Sequence, residues 1–424
     1  MSLRIIAGIN WGDEGKGKMV DYFASQADIV IRYQGGNNAG HTIDNDFGNF
    51  KLHLIPSGIF YQNVVNLLGP GAVVNLEAAV NEMNQLKARG IHIDAENYKI
   101  SDRAVIVFPF HQMQDGYEEA RLGDSSFGST KMGIGPIYAD RHMKYSIQVG
   151  ALNHPDYLKE QLVRCLDLKN RIFAGVYRKP PYSLETALKW AEQWGDILKP
   201  HICDSIKLLK NAQKANSRIL MEGQLGALRD VIYGIYPFST SSNTVAGFGP
   251  VGSGYFGSER PVITGIMKAF STCVGEGPFV TEIKDQFADK LREIAFEYGA
   301  STGRPRRIGH FDALASRYGA DVNGATELAL TKLDNLSGLG PLKICTHYKA
   351  GNRMLDSFPI LAELVKAEPV YIEMPGWEED ITQVREYSRL PQNARNYIEK
   401  IEELVGCHIA YVSVGANRKA LIVR

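Results

Sequence analysis

The sequence lacks an excess of charge of either sign. Its 47 lysine and arginine residues balance 47 aspartate and glutamate residues, so the formal net charge is zero. Without a basic surplus to neutralise a phosphate backbone, the chain is not expected to bind nucleic acid as its main partner. Local clusters of basic residues remain available for small anionic ligands.

The sequence also lacks a long hydrophobic run and a cysteine framework. No stretch reaches the roughly 18 consecutive apolar residues typical of a membrane span. The N-terminus carries no signal-peptide pattern, and together these absences predict a cytoplasmic protein with no membrane partner. The 5 cysteines are widely spaced and form no C-x-x-C pair. Such a set is typical of reduced thiols and argues against a disulfide framework or a zinc site.

Apolar strand patterns alternate with helical patterns along most of the chain. The segment LRIIAGI (3–9) predicts a buried strand, followed by a glycine-rich loop, a helix over about 16–25 and a second strand in ADIVIRYQ (27–34). This order predicts an α/β fold with a large, mainly parallel sheet and flanking helices. Further strands are expected in VVNLLG (64–69), AVIVFP (104–109), RILMEG (218–223), ELALTKLD (327–334), VYIEMPGW (370–377) and HIAYVSVG (408–415).

No linker rich in proline, glycine or serine divides the chain, so we predict one large domain over residues 1–424. The segment 76–90 has apolar residues three and four positions apart and a terminal glycine, which predicts an amphipathic helix. The span from about 153 to 216 has a long helical pattern without a clear strand. We interpret this span as a helical insertion into the α/β domain.

The segment GDEGKGK (12–18) predicts a P-loop-like phosphate site between the first strand and the first helix. Its glycines allow close backbone approach to an anion, the helix N-terminus adds positive potential, and its two lysines add charge. However, Met19 stands where a standard P-loop has the Ser or Thr that holds magnesium. Two carboxylates, Asp13 and Glu14, also lie inside the loop, where an anionic ligand should bind.

Four other segments have compositions that suit ligand contacts. RYQGGNNAGHT (32–42) follows the second strand and brings His41 within reach of the first loop. GASTGRPRRIGHFD (299–312) clusters three arginines, which bind carboxylates and phosphates through two parallel hydrogen bonds. TKLD (331–334) is close to the N-K-x-D element by which Ras-like GTPases recognise guanine, and YPFSTSSNT (236–244) is rich in hydroxyls. Taken alone, each segment is also compatible with a solvated or structural loop.

Taken together, these segments resemble the adenylosuccinate synthetase family over essentially the whole chain. The matching motifs follow the family's order and spacing: WGDEGKGK, RYQGGNNAGHT, GIGP, TSSNT, GEGPF, STGRPRR, TKLD and MPGW. The resemblance implies a ligase that couples IMP to L-aspartate and hydrolyses GTP to GDP and phosphate, through a 6-phosphoryl-IMP intermediate. This reaction is the first committed step of AMP synthesis from IMP. GTP would be a co-substrate, with one Mg2+ per subunit.

The resemblance also implies roles for individual residues. Asp13 would be the general base and a magnesium ligand, with the Gly40 carbonyl as a second ligand. His41 would be the general acid, Lys16 would contact the phosphates, and Gln34 would belong to the catalytic set. The implied GTP-binding residues are Gly12, Asp13, Glu14, Gly15, Lys16, Gly17, Lys18, Gly40, His41, Thr42, Arg306, Lys332, Leu333, Asp334, Ser413, Val414 and Gly415.

The other two substrates have their own implied residue sets. Those for IMP are Asp13, Glu14, Gly15, Lys16, Asn38, Ala39, Gly40, His41, Thr130, Lys144, Thr240 and Arg304. Those for aspartate are Val274, Ala300, Ser301, Thr302, Gly303, Arg304, Pro305 and Arg306. The resemblance further implies a homodimer in which Lys144 reaches the IMP site of the partner subunit.

The chain departs from the family pattern near the monophosphate. Leu225 occupies the position of a glutamine, and Gln224 stands one place earlier. Ile232 and Tyr233 replace Asp and His, and Lys144 replaces an arginine, which keeps the charge but loses the planar fork. The segment STKMGIGP (129–136) lacks the usual Thr-Gly-Arg. These changes cluster around the monophosphate and leave the GTP segments and Asp13 intact.

Three alternatives stay open on the sequence. The first is a synthetase acting on a guanine monophosphate, as in the viral diaminopurine pathway, although those relatives lose the carboxylate that Asp13 keeps here. The second is a GTP-binding switch, which Met19 disfavours because a switch needs Ser or Thr there. The third is a pseudoenzyme that retains the fold as a scaffold.

Overall fold

The fold is built around a ten-stranded sheet. The computed structural model describes residues 2–299 and 303–424. The strands in this part of the chain are β1 Leu3–Gly8, β2 Ile29–Arg32, β3 His41–Asn45, β4 Gly48–Leu52, β5 Val65–Leu68, β6 Val73–Val74, β7 Tyr98–Ser101, β8 Val105–Ile106, β9 Ile202–Cys203, β10 Ile219–Glu222, β11 Val262–Lys268, β12 Ser271–Cys273, β13 Arg307–Gly309, β14 Phe311–Asp312, β15 Glu327–Thr331, β16 Leu342–Ala350, β17 Arg353–Leu355, β18 Glu368–Met374, β19 Ile409–Ser413 and β20 Leu421–Val423.

Helices cover the sheet and extend beyond one of its edges. They are α1 Lys16–Ala24, α2 Leu76–Ala88, α3 Pro109–Leu122, α4 Ile134–Met143, α5 Pro155–Ile172, α6 Leu184–Leu198, α7 Ser205–Lys214, α8 Gly249–Ser253, α9 Gln286–Ile294, α10 Ala313–Asn323, α11 Leu361–Leu364 and α12 Gln392–Val405. None of the helices within residues 2–299 and 303–424 is both long and apolar enough to cross a bilayer.

The strand order of the main sheet is β20-β19-β15-β11-β1-β10-β2-β5-β7-β9. Every neighbouring pair is parallel except β19 and β20 at one edge. The central strand β1 is almost entirely apolar and buried, as expected for a parallel strand covered on both faces. The predicted α/β fold with a large, mainly parallel sheet is therefore confirmed.

Two of the predicted strands lie outside this sheet. AVIVFP contributes only the two-residue β8, which pairs with β6, and VYIEMPGW falls in β18, which pairs antiparallel with β16 in a smaller sheet. The central strand β11 was not predicted, although it pairs with β1 along five residues. A short apolar run shows that a segment is buried, but not which sheet it joins.

The predicted insertion contains helices α5, α6 and α7, and also the short strand β9, which pairs with β7 at the edge of the main sheet. The expectation of no strand in this span was therefore wrong. Whether the chain forms a single domain stays a prediction.

A buried ionic network ties the first helix of the insertion to the rest of the fold. Lys169 on α5 donates to the Asp140 carboxylate on α4 at 2.6 Å. The His111 ring on α3 contacts the other oxygen of Asp140 at 3.0 Å and accepts from the Phe108 backbone N–H at 2.9 Å. Because Lys169 and Asp140 are almost fully buried, each charge depends on its partner for the solvation that water would supply.

We predict that Lys169→Met destabilises the protein strongly, because it leaves the buried Asp140 carboxylate without its cation. The expected loss is about 3 kcal/mol or more in the free energy of unfolding, measured by urea denaturation. The control is Lys189→Met, which removes an exposed pair with Glu185 and should change the free energy by at most about 1 kcal/mol. Equal effects of the two substitutions would contradict this account of the network.

Candidate functional site

The segments singled out in the sequence meet at the carboxyl edge of the sheet. The strands β1, β2, β10, β15 and β19 end there, and the loops that follow them carry the glycine-rich, amide-rich and TKLD motifs. A cavity of about 620 Å³ opens beside these loops. Ligands of open parallel sheets bind in this position, outside the carboxyl ends of the strands.

Many residues of the predicted IMP and aspartate sets line this cavity. They are Asp13, Asn38, Ala39, Gly40, Thr130, Thr240 and Val274. They come from five separate stretches of sequence, so folding brings together residues that are more than 250 positions apart in the chain. The predicted GTP residues Lys332, Asp334 and Ser413 are not among the residues that line this cavity.

Glu14 shapes the glycine-rich loop from inside. Its carboxylate accepts from the backbone N–H groups of Asn10 at 3.1 Å and Gly12 at 2.7 Å, and it pairs with the Lys16 ammonium at 2.6 Å. The space for it requires a glycine at position 226, where an added Cβ would lie 2.5 Å from a Glu14 oxygen. Glu14 is 1% exposed, so this acidic residue stabilises the loop rather than facing solvent.

Lys18 connects the glycine-rich loop to the end of β19. Its ammonium donates to Ser413 Oγ at 2.7 Å and to the carbonyls of Gly415 and Ala420 at 2.7 and 2.8 Å. All three of its N–H donors are therefore used within the protein. Burial lowers the pKa of Lys18 to about 7. Its geometry assigns it to holding the predicted segment 413–415 against the loop.

The TKLD segment is joined to the same loop. Thr331 Oγ1 donates to the Glu14 carbonyl at 2.6 Å. Lys332 adopts a left-handed backbone conformation with φ of 59°, and its ammonium lies 3.0 Å from Glu297. Burial raises the pKa of Asp334 above its usual range. The structure thus places the predicted base-recognition segment directly beside the predicted phosphate loop.

His41 is held by two residues from other elements. It begins β3, and its Nδ1 contacts the carboxylate of Glu222 at the end of β10. Glu222 also accepts from the Ser57 backbone N–H at 2.8 Å and hydroxyl at 2.7 Å. The opposite ring nitrogen, Nε2, is buried and has no hydrogen-bond partner among the described residues. This geometry leaves one ring nitrogen of His41 for a ligand.

The hairpin that carries His41 packs against the start of α1. A Cβ added at Gly17 would lie only 2.7 Å from the Thr42 carbonyl, so only glycine permits this close approach. The expectation that His41 lies near the glycine-rich loop is confirmed by this contact.

Asp13 faces the cavity from a backbone position that few residues other than glycine adopt. Its φ is 60°, and its side chain is 29% exposed. Its carboxylate lies 3.0 Å from Nε of Arg306. Asp13 and Gly40 both line the cavity, and a carboxylate and a backbone carbonyl are oxygen ligands suited to Mg2+. The residues present therefore fit a magnesium ion.

A second group of possible metal ligands does not fit magnesium. His111, Asp140 and Cys165 have ligand atoms within 4.8 Å of one another. Lys169 already donates to Asp140, and the Phe108 N–H already donates to His111. A histidine and a thiol are also poor ligands for a hard cation, so this group is structural.

Gln34 and Gln224 lie behind the cavity wall rather than on it. Gln34 donates to the Gln224 carbonyl at 2.9 Å and accepts from the Ser242 hydroxyl at 2.9 Å. The Gln224 amide donates to the Gly36 carbonyl at 2.9 Å. Leu225, with φ of 57°, instead lines the cavity. The departure from the family pattern therefore places an apolar side chain on the wall.

Arg229 is a cavity residue that the sequence analysis missed. Its guanidinium donates to the carbonyls of Phe238 and Val274 and lies 3.0 Å from Cys273 Sγ. The Thr240 backbone N–H donates to the Arg229 carbonyl at 2.9 Å. Arg229 thus connects the two loops that carry Thr240 and Val274, a link that nothing in its local sequence indicates.

Two carboxylates of α3 hold the loop that carries Thr130. Glu119 accepts from the backbone N–H groups of Phe127, Gly128 and Ser129 at 3.0 to 3.2 Å. Asp115 accepts from the Ser129 hydroxyl at 2.7 Å. These bonds fix the position of the loop that carries Thr130, which itself forms neither helix nor strand.

Other predicted residues lie apart from the cavity. Lys144 is exposed at the end of α4, and Arg304 is exposed in the segment that precedes β13. The predicted aspartate residues Ala300, Ser301 and Thr302 lie outside the described residues.

Glu222 and Glu297 were also missed. The charge of Glu222 at the carboxyl end of an apolar strand was a usable signal, because catalytic groups often follow such strands. Glu297 has no comparable local signal, since its role depends on three cations from distant parts of the chain.

Comparison with known proteins gives one consistent family. Residues 5–422 match the family model described as adenylosuccinate synthetase. The adenylosuccinate synthetase of Caldanaerobacter subterraneus subsp. tengcongensis is 45% identical over 424 residues, covering 100% of this chain and 99% of that protein. The adenylosuccinate synthetase of Dehalococcoides mccartyi is 44% identical over 425 residues and is covered completely.

Solved structures agree with this result. Fully ligated adenylosuccinate synthetase from Plasmodium falciparum is 33% identical, with a TM-score of 0.93 and complete coverage of both chains. Succinoaminodeoxyadenylate synthetase of cyanophage S-2L, bound to dGMP and dATP, is 17% identical, with a TM-score of 0.62 and coverage of 100% of this chain and 95% of that one. The second likeness concerns the fold alone.

We predict a pH-dependent contribution of Glu222 to stability. Burial would raise the pKa of Glu222, but His41, Arg32 and the Ser57 N–H outweigh burial and lower it to about 2. A carboxyl whose folded pKa lies below its unfolded value of 4.5 stabilises the fold above pH 4.5. That stabilisation is lost as the pH falls towards 2.

The measurement compares wild type with Glu222→Gln by urea denaturation at pH 7, 5 and 4. The difference in unfolding free energy should be about 3 kcal/mol at pH 7 and should narrow below pH 4.5. Glu185→Gln is the control, because Glu185 is 77% exposed. A difference that stays constant across this range would contradict the prediction.

Proposed function

The chain belongs to the adenylosuccinate synthetase family, and from this premise we propose how its residues carry out the reaction. The family's reaction is the GTP-dependent ligation of IMP and L-aspartate to adenylosuccinate, with release of GDP and phosphate. The chain is thus a ligase of purine biosynthesis. The assignment of individual residues, the magnesium ion, the dimer and the cytoplasmic location are proposals.

One observation supports the residue assignment above all others. Asp13 faces the cavity from the same loop that begins α1, so one short segment serves both the nucleoside monophosphate and the triphosphate. A carboxylate in a phosphate loop repels the phosphates unless cations offset its charge, and Arg306 lies 3.0 Å from Asp13. The placement of Asp13 beside the cavity supports its assignment as the base.

Asp13 accepts the N1 proton of IMP, which makes the 6-oxygen nucleophilic towards the γ-phosphorus of GTP. The ion pair with Arg306 at 3.0 Å orients the Asp13 carboxylate before the substrate binds. The 6-oxygen attacks the γ-phosphorus, and GDP leaves. The amino group of aspartate then attacks C6, and phosphate leaves with the proton that the amine loses. Arg306 lies next to Asp13 and binds an aspartate carboxylate or the transferring phosphate.

His41 acts as the general acid through Nε2, the ring nitrogen without a protein partner. Burial lowers the pKa of His41, and the carboxylate of Glu222, which holds the ring through Nδ1, opposes that shift. This arrangement follows the logic of a carboxylate that orients a catalytic histidine.

Asp13 and the Gly40 carbonyl would hold a magnesium ion. When bound, the ion supplies positive charge that offsets the charge of the triphosphate. Glu14 and Lys16 shape the loop, and the N–H groups at the start of α1 face the phosphates.

The guanine base binds between the TKLD segment and residues 413–415. Asp334 accepts from the ring N–H and amino groups of guanine, and Lys18 holds residues 413–415 in place through Ser413 and Gly415. IMP binds along Asn38, Thr130 and Thr240 on the wall of the cavity.

We also propose a homodimer. Lys144 is exposed at the end of α4, where its ammonium is free to reach the IMP phosphate of the partner subunit. The resemblance to the family is the ground for this dimer.

The proposed function is tested by an omission assay with IMP, GTP, aspartate and Mg2+. We expect phosphate release and a new ultraviolet-absorbing product only when all components are present. Turnover with dGMP in place of IMP would overturn the choice of substrate. GTP hydrolysis without aspartate would support a switch, and complete inactivity would support a scaffold.

In the same assay, we expect Asp13→Ala to lower kcat by about 1,000-fold or more, because the general base is lost. Binding of GTP, measured by calorimetry without Mg2+, should change by less than about threefold, since Asp13 does not contact the base. The control is Asp46→Ala, an exposed carboxylate paired with Lys419. Wild-type rates in Asp13→Ala would show that another group is the base.

We predict that Asp334→Asn raises the KM for GTP by about tenfold or more, because charged hydrogen bonds to guanine become neutral. The asparagine amide should at the same time improve the use of xanthosine triphosphate, whose 2-oxygen accepts a hydrogen bond. The nearby, exposed Asp380→Asn is the control. An unchanged preference for GTP over xanthosine triphosphate would exclude Asp334 from base recognition.

A further inference from the structure

We propose that Glu297 is a positioning residue whose single buried carboxylate holds the aspartate-binding arginine and the guanine-binding segment in register. The inference rests on the proposed function, because it takes Arg306 and Lys332 as parts of the aspartate and GTP sites. Glu297 itself contacts no substrate in this scheme.

Three cations meet on the Glu297 carboxylate. Lys268 at the end of β11 lies 2.9 Å from Oε1, and Lys332 lies 3.0 Å from the same oxygen. Arg306 Nη1 contacts Oε2. Glu297 is fully buried, and Lys268 and Arg306 are less than 10% exposed, so water takes little part in solvating these charges.

Together with Asp13, Glu297 and its three cations carry a net positive charge. Asp13 adds a second carboxylate beside Arg306, which still leaves three cations against two anions. Burial alone would raise the pKa of Glu297, but Lys268, Lys332 and Arg306 outweigh it and hold the pKa well below its usual range. The carboxylate therefore stays ionised, and the remaining positive charge suits the phosphates and carboxylates of the substrates.

Glu297 also closes the base of the loop that leads to Arg306. The Arg306 backbone N–H donates to the Glu297 carbonyl at 2.9 Å, and the Gly299 N–H donates to the Arg304 carbonyl at 2.8 Å. Side chain and backbone of Glu297 thus hold the same arginine. If Asp13 binds a substrate or metal ion instead of Arg306, Glu297 still holds the Arg306 guanidinium in place.

The third ion pair, between Lys332 and Glu297, links Glu297 to the proposed guanine site. The Lys332 ammonium donates to the Ala295 carbonyl at 2.5 Å as well as lying beside Glu297. Lys332 precedes Asp334 by two residues, so a shift of Lys332 moves the carboxylate that recognises guanine. One anion therefore sets the relative positions of two binding segments that are distant in sequence.

The test is Glu297→Gln, which keeps the shape of the side chain and removes its charge. We expect the KM for aspartate and the KM for GTP each to rise at least fivefold, while the KM for IMP changes by less than twofold. Asn38, Thr130 and Thr240 have no contact with Glu297 in the described residues. A general structural defect would change all three KM values or kcat alone.

The matched control is Glu282→Gln. Glu282 pairs with Arg307, the residue next to Arg306, at 2.7 and 2.8 Å, and neither residue belongs to the proposed site. All three KM values of this variant should stay within twofold of wild type. A KM pattern in Glu282→Gln equal to that of Glu297→Gln would overturn the inference.

A second variant covers the case in which Glu297→Gln does not fold. The double substitution Lys268→Met with Glu297→Gln removes one cation together with the anion and so preserves the local net charge. It should fold, as judged by circular dichroism, and show the same selective rise in the KM values for aspartate and GTP. Unchanged KM values in either folded variant would overturn the inference, and so would misfolding of both.

A failure of the proposed function would be visible in the wild-type protein. The omission assay on wild type tests the function independently of the inference about Glu297. If wild type is inactive, the inference is judged by GTP affinity in calorimetry, where Glu297→Gln should bind at least fivefold more weakly. Equal affinities would overturn it.

Discussion

Nine neighbouring strands of the main sheet run in one direction, and the position of every part of the site depends on this constraint. Parallel strands end at a common edge, so the loops after β1, β2, β10, β15 and β19 meet there however far apart they lie in the sequence. Contacts such as that between Thr331 and the Glu14 carbonyl then fix the loops against one another. The cavity is a consequence of topology first and of side chains second.

Most charges at this edge are paired with one another. Glu14 binds Lys16, Asp13 pairs with Arg306, and Glu297 gathers three cations. Burying these charges unpaired would cost several kcal/mol each, so the pairs keep the site folded before ligands bind. The same pairs hold the functional groups in place, which reduces the ordering that substrates must impose. Stability and preorganisation therefore come from the same contacts.

The sequence allowed prediction of the fold class, most central strands and the segments that form the site, because strand patterns and glycine-rich loops are local signals. It did not reveal which charged residues turn inward. Lys18 has the composition of a phosphate contact, yet its ammonium is used by Ser413, Gly415 and Ala420. Glu14 is buried in bonds to the backbone N–H groups of Asn10 and Gly12 in its own loop. The partners of Lys18, Glu297 and Arg229 come from other parts of the chain, which no local pattern reveals.

The departures from the family pattern lie near the proposed monophosphate site. Binding there requires less exact geometry than the transfer of a proton. The proposed proton transfers require their groups within a few tenths of an ångström of their productive positions. The left-handed backbone of Asp13 and the Glu222 contact of His41 restrict these two side chains. A monophosphate accepts hydrogen bonds from hydroxyls, backbone N–H groups or cations in many arrangements. Leu225, which lies on the wall of the cavity, is a departure of this kind. In the proposed scheme, selection of the monophosphate and chemistry on its base are therefore separable.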